Sequence, residues 1–162
     1  MTEGPASKGA QRLVLAMGSD HAGLELKQAL RPVAEELGFE VKDVGTHDTA
    51  SCDYPDFAHA VARGVAAGDY RFGVLVCGTG LGMSYAANRH RDIRAALCTE
   101  TFAARMSREH NDANVLCMGA RVIGAGVAGD VLRAFLTSEF EGGRHARRVA
   151  KIELHSEHRD EA

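Results

Sequence analysis

Nine residues, Val74-Leu75-Val76-Cys77-Gly78-Thr79-Gly80-Leu81-Gly82, restrict this chain more than any other stretch. A short valine-rich run ends in a cysteine. Glycines follow at alternate positions, and Met83 to Asn88 can open a helix. Such a run reads as a buried parallel strand, and the glycines as a tight turn at its carboxyl end. In open α/β sheets that end is where ligands bind. Glycines let backbone N–H groups approach an anion closely, and a helix start adds partial positive charge. The same field favours a thiolate on Cys77.

The rest of the chain repeats the strand-then-helix pattern. Arg12 to Gly18 reads as a first strand, with Ser19 to Gly23 as its turn. Leu24 to Leu37 carries apolar residues at helical spacing, and Pro32 predicts a kink over Gln28 to Pro32. Phe39 to Val44 is a second strand. After a polar loop to Cys52, Asp53-Tyr54-Pro55 has the look of a helix start. Phe72 to Cys77 is the third strand, Ile93 to Cys98 the fourth and Asn114 to Met118 the fifth. Thr99 is placed to cap a helix through Glu109. Gly124 to Leu136 forms another helix, weakened by its glycines, and the charged tail from Gly143 reads as helical to about His158. Short apolar strands alternating with helices predict an α/β fold. It is a doubly wound, Rossmann-like parallel sheet of five strands, in the order 2-1-3-4-5, with helices on both faces. The last helix has no following strand to pack beside, so it is expected to extend to a partner subunit.

Composition narrows the function classes. The chain has 162 residues, net charge −3 and 25% charged residues with both signs interspersed. That balance gives no basic footprint for nucleic acid. No apolar run approaches the ~20 residues of a membrane span. Residues 1–11 are small and polar and read as a flexible extension to a single domain over 12–162. Cysteines at 52, 77, 98 and 117 form no C-x-x-C pair. Without a secretory signal they imply reduced thiols and a cytoplasmic setting.

The strand ends bring polar residues to one edge. They are Asp20 and His21, then Cys77 and Thr79, and Arg121 beyond strand five; His110 and Asn111, closing the preceding helix, are expected there too. Arg144, Arg147 and Arg148 form a second basic cluster after Gly142-Gly143, with Arg147 off the shared helical face. Guanidinium groups at this density suit a phosphate. Cys98 and Cys117 read as inert buried thiols. His59 and His90 read as surface or helix-face residues. His155 and His158 lack the companions that would complete a metal site. Rival motifs fail on spacing: the turn is G-x-G-x-G with Met83 where a dinucleotide fingerprint needs glycine, and no lysine follows for a P-loop. A cysteine phosphatase loop would want arginine at the place of Met83. A thiol hydrolase stays open, with His110 as its histidine.

Several segments together resemble the type B ribose-5-phosphate isomerases. They are Gly18-Ser19-Asp20-His21-Ala22-Gly23 with Leu26-Lys27, Asp53-Tyr54-Pro55, Cys77 to Gly82, Ala86-Ala87-Asn88, Ser107 to Asp112, Gly119-Ala120-Arg121 and Gly142-Gly143-Arg144-His145. The resemblance runs from about Leu13 to about Lys151, in the family's order and spacing. It implies interconversion of ribose 5-phosphate and ribulose 5-phosphate through an enediolate, with no metal and no organic cofactor. Cys77 would be the base, since Met83 stands where another branch carries a glutamate. His110 resembles the ring-opening acid, and Thr79 would move a proton between O1 and O2. Asp20 and Asn111 resemble hydroxyl-binding residues; His21, Arg121, Arg144 and Arg148 resemble the phosphate clamp. Backbone N–H groups of Gly78, Thr79, Gly80, Leu81 and Gly82 would hold the enediolate. The resemblance also implies a homodimer with sites at the subunit interface, sometimes paired into tetramers. It leaves open related substrates: galactose 6-phosphate, allose 6-phosphate and a tetrulose phosphate. A non-catalytic sugar-phosphate-binding module on the same fold is the alternative from outside enzymology.

Overall fold

The computed structural model describes residues 13–153. The expected flexible extension over 1–11, and His155 and His158, lie outside them. Five strands, β1 (Val14–Ser19), β2 (Glu40–Gly45), β3 (Phe72–Cys77), β4 (Ala95–Leu97) and β5 (Val115–Gly119), form one sheet in which every described pairing is parallel. Between and after them run α1 (Leu24–Glu36), α2 (Tyr54–Ala67), α3 (Leu81–Ala87), α4 (Thr101–Glu109), α5 (Ala125–Thr137) and α6 (Arg144–Val149).

The strand order is β2-β1-β3-β5-β4, which corrects the expected 2-1-3-4-5 at the last two positions. Burial supplies the reason. Every residue of β5 is buried, whereas β4 is three residues long and only half-buried. The strand that can be covered on both faces takes the inner place, and the short one takes the edge. Handedness follows. The steps β1 to β2 and β4 to β5 run one way across the sheet, and α1 and α4 lie with α5 on one face. The steps β2 to β3 and β3 to β4 run the other way, and α2 and α3 cover the opposite face. Right-handed crossovers require this division.

Strand side chains alternate between two cores. Leu15, Met17, Val74, Val76, Leu116 and Met118 pack under α1, α4 and α5. Ala16, Leu75, Cys77, Val115 and Cys117 pack under α2 and α3. Pro32 does not end α1, which continues through it to Glu36. Asp53 is the residue before α2 with Pro55 in the first turn, as the sequence predicts. Thr99 does not cap α4; Glu100 does. Its carboxylate accepts from the N–H groups of Phe102 and Ala103 at 2.6 Å each. A carboxylate there satisfies two orphan donors and opposes the positive helix end. α6 stops at Val149, short of the expected end near His158.

Candidate functional site

The connections from β1 and β3 leave in opposite directions, so a crevice opens between the carboxyl ends of these neighbouring strands. Asp20 and His21 follow β1 into it, and Cys77 closes β3. The β1–α1 turn is seated directly on β3. The Asp20 N–H donates to the Val76 carbonyl at 3.3 Å, and a Cβ on Gly23 would lie 2.3 Å from that same oxygen. The buried Asp20 accepts from the Gly23 N–H at 3.0 Å.

Cys77 is 5% exposed, and its Sγ accepts the Gly80 N–H at 3.1 Å. Gly80 has φ +78°, a conformation that costs glycine little, and this turns its N–H back to the sulfur. The Thr79 hydroxyl oxygen accepts from the Leu81 N–H at 3.3 Å. Gly119, paired with Cys77 in register, leaves room for the turn: a Cβ there would be 2.6 Å from the Thr79 carbonyl carbon. The Arg121 N–H donates to the Gly78 carbonyl at 3.0 Å, and its guanidinium lies over Gly78.

The His21 Nδ1 accepts the Cys52 N–H at 3.3 Å, so the neutral ring carries its proton on Nε2. The loop holding Cys52 is anchored by Lys27, which is 1% exposed. Its Nζ bonds the Asp43 carboxylate and the Thr46 carbonyl at 2.6 Å each. Burial pushes the thiols of Cys98, to about 11, and of Cys117 well above the ordinary range. Both belong to the packing, as the sequence suggests.

His110 and Asn111 are not at this edge in the same chain, which corrects the expected single polar set. Helix α4 returns from the carboxyl end of β4 to the amino end of β5, so its last turn lies at the opposite edge. The strands put roughly 15 Å between the two ends. There the His110 ring stacks on His145 of α6, with centroids 4.2 Å apart and planes within 6°. Glu141 is tied to α4 by a 3.0 Å bond from its N–H to the Glu109 carbonyl. Arg144 and Arg148 stand on α6 beside this stack. The turn bearing His110 and Asn111 is held by Asp112, which pairs with Arg94 at 3.2 Å and with the buried Arg108 at 2.8 Å. Among the described residues, His110, Glu141 and His145 also form a group whose donor atoms lie within 4.8 Å of one another. Glu141 and the Cys52 contact were not singled out from sequence; both residues sit in loops, where periodicity carries no signal.

Fold and crevice define a doubly wound α/β protein carrying a thiol in an N–H-lined turn, and its relatives are specific. Residues 15–152 match the family described as Ribose/Galactose Isomerase. Ribose-5-phosphate isomerase B of Escherichia coli (strain K12) is 46% identical over 138 residues, covering 85% of this chain and 93% of that protein. A D-erythrulose-4-phosphate isomerase of Pectobacterium atrosepticum is 40% identical over 141 residues, covering 86% and 93%. The solved Clostridium thermocellum ribose-5-phosphate isomerase B superposes with a TM-score of 0.84 at 51% identity, covering 86% of this chain and 94% of that one. The chain belongs to the ribose/galactose isomerase family.

Proposed function

We propose that the chain interconverts D-ribose 5-phosphate and D-ribulose 5-phosphate, with Cys77 as the base. The observation that carries this reading is the Cys77 thiol at the end of β3, held by the Gly80 N–H at 3.1 Å within the glycine turn. Removing the C2 proton of an open-chain aldose phosphate builds an enediolate. Its charge must be held as it forms, and backbone N–H groups from Gly78 to Gly82 can do so without reorganising. The thiol then returns the proton to C1, while the Thr79 hydroxyl passes a proton between O1 and O2. Asp20 and Asn111 bind sugar hydroxyls. His21, presenting its Nε2–H, joins Arg121, Arg144 and Arg148 on the phosphate; gripping that non-reacting group orients the carbon that reacts. His110 protonates the ring oxygen when the sugar arrives as a furanose.

These roles need two copies of the chain. Cys77 and His110 stand at opposite edges of one sheet, so a site using both is completed by a partner's amino edge. The reading is therefore a homodimer with two composite sites, which can pair into a tetramer. Mixing Cys77→Ala and His110→Ala chains tests it. Hybrids keep one intact site, so statistical exchange should restore about a quarter of native turnover; no recovery on mixing would refute the sharing. The second reading, a four-carbon ketose phosphate as substrate, is favoured by the Pectobacterium atrosepticum relative. Turnover compared across ribose 5-phosphate, D-erythrulose 4-phosphate, allose 6-phosphate and galactose 6-phosphate decides it; higher kcat/KM on any but the first would overturn the ribose assignment.

A further inference from the structure

We propose that His145 and Glu141 are positioning residues for the acid: the stacked imidazoles of His110 and His145 hold one proton between them, which Glu141 anchors and His110 delivers. The inference rests on the reading of His110 as the ring-opening acid. The geometry is specific. The two rings overlap face to face at 4.2 Å, and the Glu141 Oε2 lies 3.4 Å from the His145 Nε2 and 3.9 Å from the His110 Nε2. His145 is 6% exposed, whereas the side chains of His110 and Glu141 are 36% and 53% exposed, so water partly screens the charges those two carry. Two imidazolium charges stacked at this distance repel strongly, whereas one beside a carboxylate is favoured.

The trio is suited to a proton rather than a cation. Rings within 6° of parallel aim their lone pairs side by side, not at a common point. The Arg144 Nε also stands 3.4 Å from the His145 Nε2. That nitrogen has two exclusive uses. Unprotonated, it accepts from Arg144; protonated, it donates to Glu141. The charged groups acting on the stack are Glu141 from the loop and Arg144 and Arg148 from α6; on α4 the neighbouring Arg105 and Glu109 pair with each other at 3.8 Å. Burial, then His110 and Arg144, push the His145 imidazole below its ordinary range; Glu141 opposes them and Arg148 adds to them. The balance disfavours charge on His145; in the proposed step the proton is the one carried by the more exposed His110, toward the ring oxygen of a partner's substrate. Ring opening breaks the bond between C1 and the ring oxygen, moves the His110 proton to that oxygen, and releases the C1 hydroxyl proton to water. Water then returns a proton to the stack.

The test is an NMR titration of the imidazole Cε1–H signals in the full chain, native and with His145→Phe or Glu141→Gln, beside pH–rate profiles on ribose 5-phosphate. In the native protein the two rings should titrate as a coupled pair, in steps separated by about one pH unit or more. His145→Phe keeps an aromatic face but no proton; His110 should then titrate in a single step, without the second phase that coupling to His145 gives it, and the rate profile should follow that single step. Glu141→Gln changes an exposed side chain, so folding is not at risk; it should lower both titrations. An unmoved His110 titration in both variants would overturn the proposal. If His110→Ala turned over furanose substrate normally, the acid assignment would fall, while the titration would still decide the sharing.

Discussion

Gly119→Ala is the sharpest test of the glycine cradle. The added methyl would lie 2.6 Å from the Thr79 carbonyl carbon and 2.7 Å from its Cα and oxygen, all backbone atoms. Ordinary carbon contacts are about 3.5–4 Å, so the turn from Gly78 to Gly82 must move by about 1 Å. No change of rotamer relieves the overlap. A shift of that size at a reacting centre costs about 100-fold in rate. Overpacking costs about 1–3 kcal/mol of stability, or about 5 °C in Tm for a chain of this length. The assay is kcat/KM on ribose 5-phosphate beside a thermal melt. The expected result is a folded protein with a small fall in Tm and a loss of activity far larger than its unfolded fraction. Gly124→Ala is the control: its new methyl would meet no heavy atom within 4 Å beyond its chain neighbours, and native activity should be kept. Native activity in Gly119→Ala, or a loss matched by unfolding alone, would refute the reasoning.

Three further outcomes follow from buried charges and thiols. Lys27→Met removes the 2.6 Å partner of Asp43 while leaving that carboxylate 22% exposed, so destabilisation in urea should be about 3 kcal/mol, the low end for a broken buried pair; a change under about 1 kcal/mol would contradict the anchoring role, on the same scale. In the folded protein, iodoacetamide at mildly alkaline pH should label Cys52 and Cys77 ahead of Cys98 and Cys117, and unfolding should equalise all four. The folded Cys98 thiol keeps its proton to about 11, above the unfolded value near about 8.5, so its contribution to stability falls as pH rises through that window. His90 has the opposite sense: burial, then His59 and Arg63, lower its imidazole, and its ring bonds His59 at 2.8 Å. The unfolded ring takes up protons first, so stability should fall as pH drops below about 6.5. Tm measured on either side of that pH should show a smaller acid loss in His90→Gln; an equal loss would contradict the sign.

The nine residues around Cys77 were legible because strand, turn and helix each leave a local pattern: a valine run, alternate glycines, then a helix start. The crevice follows from them, since a parallel sheet delivers strand ends to one edge. What was not legible depends on tertiary choices. Nothing local in Ala95-Ala96-Leu97 says that it sits outside β5; that rests on which strand can be buried on both faces. The same choice sends α4 back to the far edge with His110 and Asn111, so one strand exchange changes which residues share a site. Glu100 took the cap of α4 from Thr99 because its longer, charged side chain reaches two N–H groups. His59 and His90, read as surface or helix-face residues, are half-buried and bonded to each other, a pairing between distant positions that spacing cannot reveal.

At the centre of the proposed chemistry, the Cys77 thiol moves a proton between C2 and C1. Incubation with ribose 5-phosphate in deuterium oxide tests this most directly, for the native protein and for Cys77→Ala. The expected result is ribulose 5-phosphate with deuterium at C1 from the native protein, and neither product nor exchange from the variant. Product and exchange at equal rates from both proteins would contradict the role of Cys77 and move the base elsewhere.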